Sequence, residues 1–137
     1  MSRIFAAYVQ VGDLERSLSF YRDGLGLEVD WQDDVLAVLR SPGDTAHALV
    51  IREVGGGARH TVGEAGVARL GWQVTDPADL DSAEERLASH AVPYQRFHGT
   101  DADRIVTHDP DGLSVIVFRA AESSLTGRPP MSLYWYH

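Results

Sequence analysis

The sequence predicts an α+β fold built from two tandem βαβββ modules, and three observations carry that prediction. Tyr8-Val9-Gln10-Val11-Gly12-Asp13 is answered by Gly71-Trp72-Gln73-Val74-Thr75-Asp76, at an offset of 63 residues. In both copies a strand-like alternation runs into an aspartate, and an amphipathic helix pattern follows: Leu14-Glu15-Arg16-Ser17-Leu18-Ser19-Phe20-Tyr21 in the first, Leu80-Asp81-Ser82-Ala83-Glu84-Glu85-Arg86-Leu87 in the second. Both copies then end in a Pro/Gly/Asp turn before an apolar strand, Ser41-Pro42-Gly43-Asp44 before Ala48-Leu49-Val50-Ile51 and Asp109-Pro110-Asp111-Gly112 before Val115-Ile116-Val117-Phe118. A unit written twice fixes the architecture before any single residue is interpreted.

The elements follow in order. Residues 4–11 alternate as a strand, and Asp13 stands where a helix N-cap belongs. The helix is expected from Leu14 to Asp23, with Leu14, Leu18 and Tyr21 on one face, Ser17 beside them, and Gly24 and Gly26 supplying left-handed turns that stop it. Strands are expected at 27–32, 35–40 and 46–52, joined by Asp33-Asp34 and by Ser41-Pro42-Gly43-Asp44. Residues 54–67, with Val54-Gly55-Gly56-Gly57 and Gly63-Glu64-Ala65-Gly66, have linker composition. The second module restarts at Arg69, with a helix over 78–90 and strands at 94–98, 104–108 and 113–119. The reading is therefore one domain over 1–122, with module 1 about 3–53 and module 2 about 68–122, and a tail at 123–137. That tail ends in Leu133-Tyr134-Trp135-Tyr136-His137, an aromatic cluster expected to dock on something rather than stand in water.

Bulk properties exclude several classes. At 137 residues and 44% apolar composition the chain suits one globular domain, with no apolar run near the roughly 20 residues of a membrane helix. A start that goes straight into a strand gives a cytoplasmic expectation. Zero cysteines remove disulfides and thiolate chemistry. A net charge of −8 with scattered arginines argues against nucleic acid, and is also an ordinary means of staying soluble.

Taken together, the duplication, Gly12-Asp13-Leu14-Glu15-Arg16-Ser17 with Phe20-Tyr21 and Leu25-Gly26-Leu27, and Asp109-Pro110-Asp111-Gly112 resemble the vicinal-oxygen-chelate superfamily over residues 3–120. That group holds glyoxalase I, fosfomycin-resistance enzymes, extradiol dioxygenases and bleomycin-resistance binding proteins. The resemblance implies a curved mixed sheet with a concave cleft and helices outside. It also implies metal ligands, usually His, Gln or Glu, on the first and fourth strand of each module. Counting from the capping aspartates and the turn prolines puts these positions at Ala6, Ala48, Arg69 and Ile116. Alanine and isoleucine have no lone pair to donate, and arginine brings a permanent positive charge. A divalent ion would lack its first shell there, so the expectation is no metal and no cofactor.

The same register assigns faces, because side chains alternate along a strand. Tyr8, Gln10, Val50, Arg52, Arg69, Gln73, Ser114, Ile116 and Phe118 are expected to line the cleft, a mixture of apolar surface and a few directional polar groups typical of a small-molecule pocket. Arg69 either attracts a carboxylate or enolate-like oxygen where relatives hold a metal, or snorkels to solvent. Glu28, Asp30, Asp33 and Asp34 around Trp31 either form an acidic, aromatic groove for a cationic planar ligand, as in the drug-binding relatives, or are simply solvated. His98 and His108 either face each other across a hairpin or make separate, ordinary contacts. His60, His90 and His137 do not recommend themselves as catalytic.

The leading expectation is a metal-free binding protein similar to the bleomycin-resistance group, a homodimer that sequesters a small molecule, with no catalytic residue assigned. The alternatives are an enzyme, either a lyase or dioxygenase with His98 and His108 as displaced ligands or a metal-free isomerase using Arg69 and Tyr8, and an accessory protein whose cleft takes a peptide or its own tail.

Overall fold

The computed structural model describes residues 2–56 and 65–121. The aromatic tail at 123–137 and His60 lie outside the described residues. The chain divides into two compact units, Met1–His60 and Thr61–His137.

The first unit begins with β1 (Ala6–Val11), whose last turn hands over to α1 (Leu14–Leu18). Asp13 caps this helix as expected, its carboxylate accepting from the Arg16 N–H at 2.8 Å, while Glu53 Oε1 accepts from the Leu14 N–H at 2.9 Å. The predicted single helix to Asp23 does not continue as α-helix: Ser19–Gly24 widens into π-helical turns. The physical reason is that Phe20 and Tyr21, adjacent in sequence, are both buried, packed edge to face with centroids 4.9 Å apart. Of the two expected left-handed glycines only Gly26 takes positive φ, at 80°.

Three strands follow, β2 (Glu28–Gln32), β3 (Leu36–Arg40) and β4 (Ala48–Glu53). Asp33 Oδ1 accepts from the N–H groups of Val35 and Leu36 and so builds the β2–β3 turn. The four strands form a mixed sheet in the order β1-β4-β3-β2, with β1 parallel to β4 and the other pairs antiparallel. Val11, Ala37, Leu39, Leu49 and Ile51 are buried with Leu14 and Leu18, so α1 covers that face.

The second unit repeats the plan with β5 (Arg69–Gln73), α2 (Pro77–Ser89), β6 (Tyr94–His98), β7 (Ala102–His108) and β8 (Ser114–Ala120). Asp76 caps α2 through the Ala78 N–H at 2.9 Å, and Pro77 at the first helical position supplies a preset φ. The sheet order is β5-β8-β7-β6, again with one parallel pair, β5 with β8. Leu80, Ala83 and Leu87 of α2 pack against β7 and β8, whose Ile105, Val115 and Val117 are buried. Buried Asp109 holds the β7–β8 turn, its Oδ1 accepting from the Asp111 and Leu113 N–H groups, and Gly112 closes it at φ 94°. Among the described residues no helix is long and apolar enough to cross a membrane.

Candidate functional site

In each unit the sheet face turned away from the helix carries the chemistry, and the strand register aligns it in rows. In the first unit Tyr8 pairs with Val50, Val50 with Val38, and Val38 with Trp31, one row across all four strands. Gln10 pairs with Arg52, and Arg52 with Leu36, in the neighbouring row. The sequence-predicted set Tyr8, Gln10, Trp31, Val50 and Arg52 thus shares one face, with Tyr8 77% and Trp31 53% exposed at the two ends of an apolar strip.

Trp31 reaches that face through a bulge. Val29 pairs with Leu39 and Trp31 with Val38, so Asp30 is the extra residue. Strict alternation would send Trp31 to the helix side; the inserted residue returns it to the open side. Asp30 itself accepts from Arg40 Nε at 3.1 Å, and the Arg40 guanidinium stacks over Phe5 at 5.7 Å. With Asp33 used in its turn, two of the four acids around Trp31 serve local structure.

The second unit places Arg69, Gly71 and Gln73 opposite Ser114, Ile116 and Phe118. Ser114 also pairs with His108, Ile116 with Val106 and Phe118 with Arg104. Three rows result: Arg69–Ser114–His108; Gly71–Ile116–Val106–Gln95; Gln73–Phe118–Arg104–Phe97. Ala102, Val106, Ile116 and Phe118 form a buried apolar cluster on this face, with Phe97 and Ala120 against it. The buried Arg104 guanidinium lies 5.2 Å from the Phe97 centroid.

Ser114 is a polar exception in this buried setting. It is only 8% exposed and its hydroxyl has no hydrogen-bond partner. The pairing also refines the count from the turns. Ala6 stands opposite Ala48 in the first unit, whereas Arg69 stands opposite Ser114 and not Ile116 in the second. The first turn, with Asp44 Oδ1 accepting from the Ala46 and His47 N–H groups, is simply longer.

The two histidines make separate contacts, the second of the two readings. His98 pairs with Asp103, its Nδ1 lying 3.2 Å from Oδ1, while His108 pairs with Ser114. His98, on β6, lies level with Asp103, and His108 lies five residues further along β7, about 17 Å at strand rise. Facing each other would require a register the ladder does not have.

Sequence reasoning missed Val38, Arg40, Val106, Arg104 and Phe97, all on the faces turned away from the helices. The alternation of 102–108 held the signal, but Ile105 and Val106 are equally apolar, so composition alone did not say which side Arg104 takes.

None of this fits a divalent metal. At the first- and fourth-strand positions the first unit offers two alanines and the second a guanidinium beside a neutral hydroxyl. Among the described residues no three His, Cys, Asp or Glu side chains gather to hold an ion.

Solved structures share the fold. A glyoxylase/bleomycin resistance protein/dioxygenase domain from Frankia sp. EAN1pec superposes with TM-score 0.75 at 21% identity, over 88% of this chain and 99% of that one. A lactoylglutathione lyase from Agrobacterium tumefaciens gives 0.66 at 20%, over 93% and 98%. A genomically encoded fosfomycin resistance protein from Listeria monocytogenes gives 0.70 at 14%, over 90% and 98%. No curated protein matches the chain. The family model for the Glyoxalase/Bleomycin resistance protein/Dioxygenase superfamily matches residues 3–117, and with a βαβββ plan in both units the chain belongs to that superfamily.

Proposed function

We propose that this protein binds a small organic molecule on its open sheet faces, without a metal at the positions its family uses, and that its task is sequestration rather than chemistry. The observation that supports this most is the replacement of donors by Ala6, Ala48, Arg69 and Ser114 at the ends of faces otherwise built for contact. Aromatic ends, an aliphatic middle and a few polar groups at the margin are what a ligand of mixed character needs. Tyr8, Trp31 and Val50 would supply area in the first unit, and Gln10 and Arg52 direction. In the second unit Arg69 and Gln73 would supply direction, with Ile116, Phe118 and Ser114 buried behind them.

A lyase or dioxygenase with displaced ligands needs His98 and His108 together, and their places at opposite ends of the β6–β7 ladder argue against it. A homodimer and a cytoplasmic location belong to the same reading. Sedimentation at micromolar concentration giving only monomer would remove the dimer from it.

The test is elemental analysis after dialysis against Zn²⁺, Mn²⁺, Ni²⁺ and Fe²⁺ in turn, followed by a thermal-shift screen of metabolite and drug-like ligands. No ion retained near one per chain, together with a saturable shift by an organic ligand, is the expected result. One ion held per chain overturns it.

A further inference from the structure

We infer that the ligand of the first unit's open face is a flat aromatic carboxylic acid. Its ring system lies over Val50 and Val38 between Tyr8 and Trp31, and its carboxylate is held by Arg52 and Gln10. This rests on the small-molecule reading above and names the class of molecule.

The ring seat is one row of the ladder, Tyr8–Val50–Val38–Trp31. Its outer members are exposed aromatic side chains, 77% and 53%, and its inner members are a buried and a half-buried valine, so an aliphatic floor lies between two aromatic rims. Three strand spacings of about 4.8 Å set the rims about 14 Å apart. A ring system midway between them is then about 7 Å from each, the far edge of the range over which aromatic groups attract one another. A bicyclic body meets both rims, whereas a single ring reaches one. Among the described residues neither Tyr8 nor Trp31 is engaged by another ring or by a cation.

The polar seat is the neighbouring row. Arg52 follows Val50 by two residues on β4, so it leaves the sheet on the same side about 7 Å away, and Gln10 stands opposite it on β1. Both side chains are exposed, and among the described residues neither the guanidinium nor the amide has a hydrogen-bond or ion-pair partner. The acids flanking them are committed elsewhere. Glu53, next in sequence, accepts from the Leu14 N–H on the helix side, and Asp33, across Leu36 in the ladder, accepts from the Val35 and Leu36 N–H groups. Arginine offers a permanent charge and a planar fork that matches a carboxylate, and the amide N–H donates to the same group. A cationic ligand would depend on the acids beside Trp31, of which Asp30 is already paired with Arg40 and Asp33 is held in its turn. Charge on this face therefore favours an anion, and one guanidinium matches one negative charge.

The experiment is isothermal titration of the full chain with naphthoate, naphthamide, naphthylmethylamine and octanoate. Naphthoate is expected to bind saturably, at least about tenfold tighter than naphthamide, and to weaken with added salt while the amide does not. Arg52→Gln should erase the preference for the acid, and Gln10→Ala should weaken naphthoate a few-fold, both being changes at exposed positions. Trp31→Ala and Tyr8→Ala should weaken naphthoate and naphthamide alike, several-fold each, because they remove ring surface and no charge. Naphthoate no tighter than naphthamide, or an unchanged affinity in Arg52→Gln, overturns the inference. Octanoate as tight as naphthoate, or tighter binding of naphthylmethylamine, overturns the ligand class while leaving small-molecule binding intact. A dimer that Trp31→Ala splits into monomers in sedimentation gives the face to a second copy of the chain and likewise overturns it. One retained metal ion per chain overturns the binding reading beneath.

Discussion

The two units share a strand order, a crossover and a capped helix, yet they use the sheet face opposite the helix in different ways. In the first unit that face ends in Tyr8 and Trp31, 77% and 53% exposed. In the second, Ile116, Val106 and Phe118 are 0%, 4% and 9% exposed, and even Arg104 is buried against Phe97. A duplicated scaffold fixes where side chains point, not whether the place they point to is core or contact surface. The inner strands are alike, with Val38 beside Val50 in the first unit and Val106 beside Ile116 in the second. The residue choice differs on the outer strands of the same row, Tyr8 and Trp31 in the first against Gly71 and Gln95 in the second.

The sharpest way to break this contrast is a pair of truncations. Ile116→Ala empties a fully buried site and is expected to cost about 2–4 kcal/mol in chemical denaturation, transfer and cavity terms together. Tyr8→Ala removes a larger side chain from an exposed position and should change stability by no more than about 0.5 kcal/mol. Comparable losses at the two sites would mean that the first unit's face is also core, and its candidacy as a contact surface would fall.

Helix starts compare more evenly. Asp13 and Asp76 each bond a first-turn N–H, so Asp13→Ala and Asp76→Ala should each cost about 1 kcal/mol. The first unit adds Glu53 at the Leu14 N–H, so Glu53→Ala should cost a further 0.5–1 kcal/mol or about that. A double variant of Asp13 and Glu53, read by the same denaturation, shows whether the two carboxylates act independently.

How far the sequence announced these features depends on whether each is local. The strand Tyr94–His98 and the capping roles of Asp13 and Asp76 are read directly, because alternation and a side-chain cap are decided within a few residues. The π-helical end of the first helix is not, since it reflects how Phe20 and Tyr21 pack rather than any helix-stop residue. Trp31 was placed on the contact surface for its acidic neighbours, whereas the cause is the bulge at Asp30, a feature of pairing that no alternation count contains. Ser114 rather than Ile116 opposes Arg69 because the two turns differ in length, which becomes visible only once strands are paired. Arg104 went unread because both faces of its strand are apolar.

A smaller effect of opposite sign comes from Ser17. Its side chain is fully buried on the helix side of the first unit, and its hydroxyl has no partner. Alanine would remove that unmet group and improve helix propensity, so Ser17→Ala should stabilise by about 0.5–1 kcal/mol. Ser17 and Ser114 are a matched pair of buried hydroxyls, one on the helix side of its sheet and one on the other side. Equal gains in denaturation midpoint on replacing either with alanine would mark both as plain unmet groups.

The smallest expected effect lies in the first unit's long turn. The Ala46 N–H above all holds the Asp44 carboxyl below its ordinary value, against an opposing contribution from burial and with lesser help from the N–H and ring of His47. A carboxylate whose folded pKa is depressed contributes stability above its unfolded pKa, near 3.9, and loses that contribution as pH falls through the lower folded value. Asp44→Asn should therefore unfold at slightly lower denaturant than the parent at neutral pH, and the gap should close once acid has protonated the parent's carboxyl. A gap that persists unchanged into strong acid would assign the turn's stability to shape alone. The extra residues that make this turn longer than its counterpart at Asp109 would then be held without help from the charge.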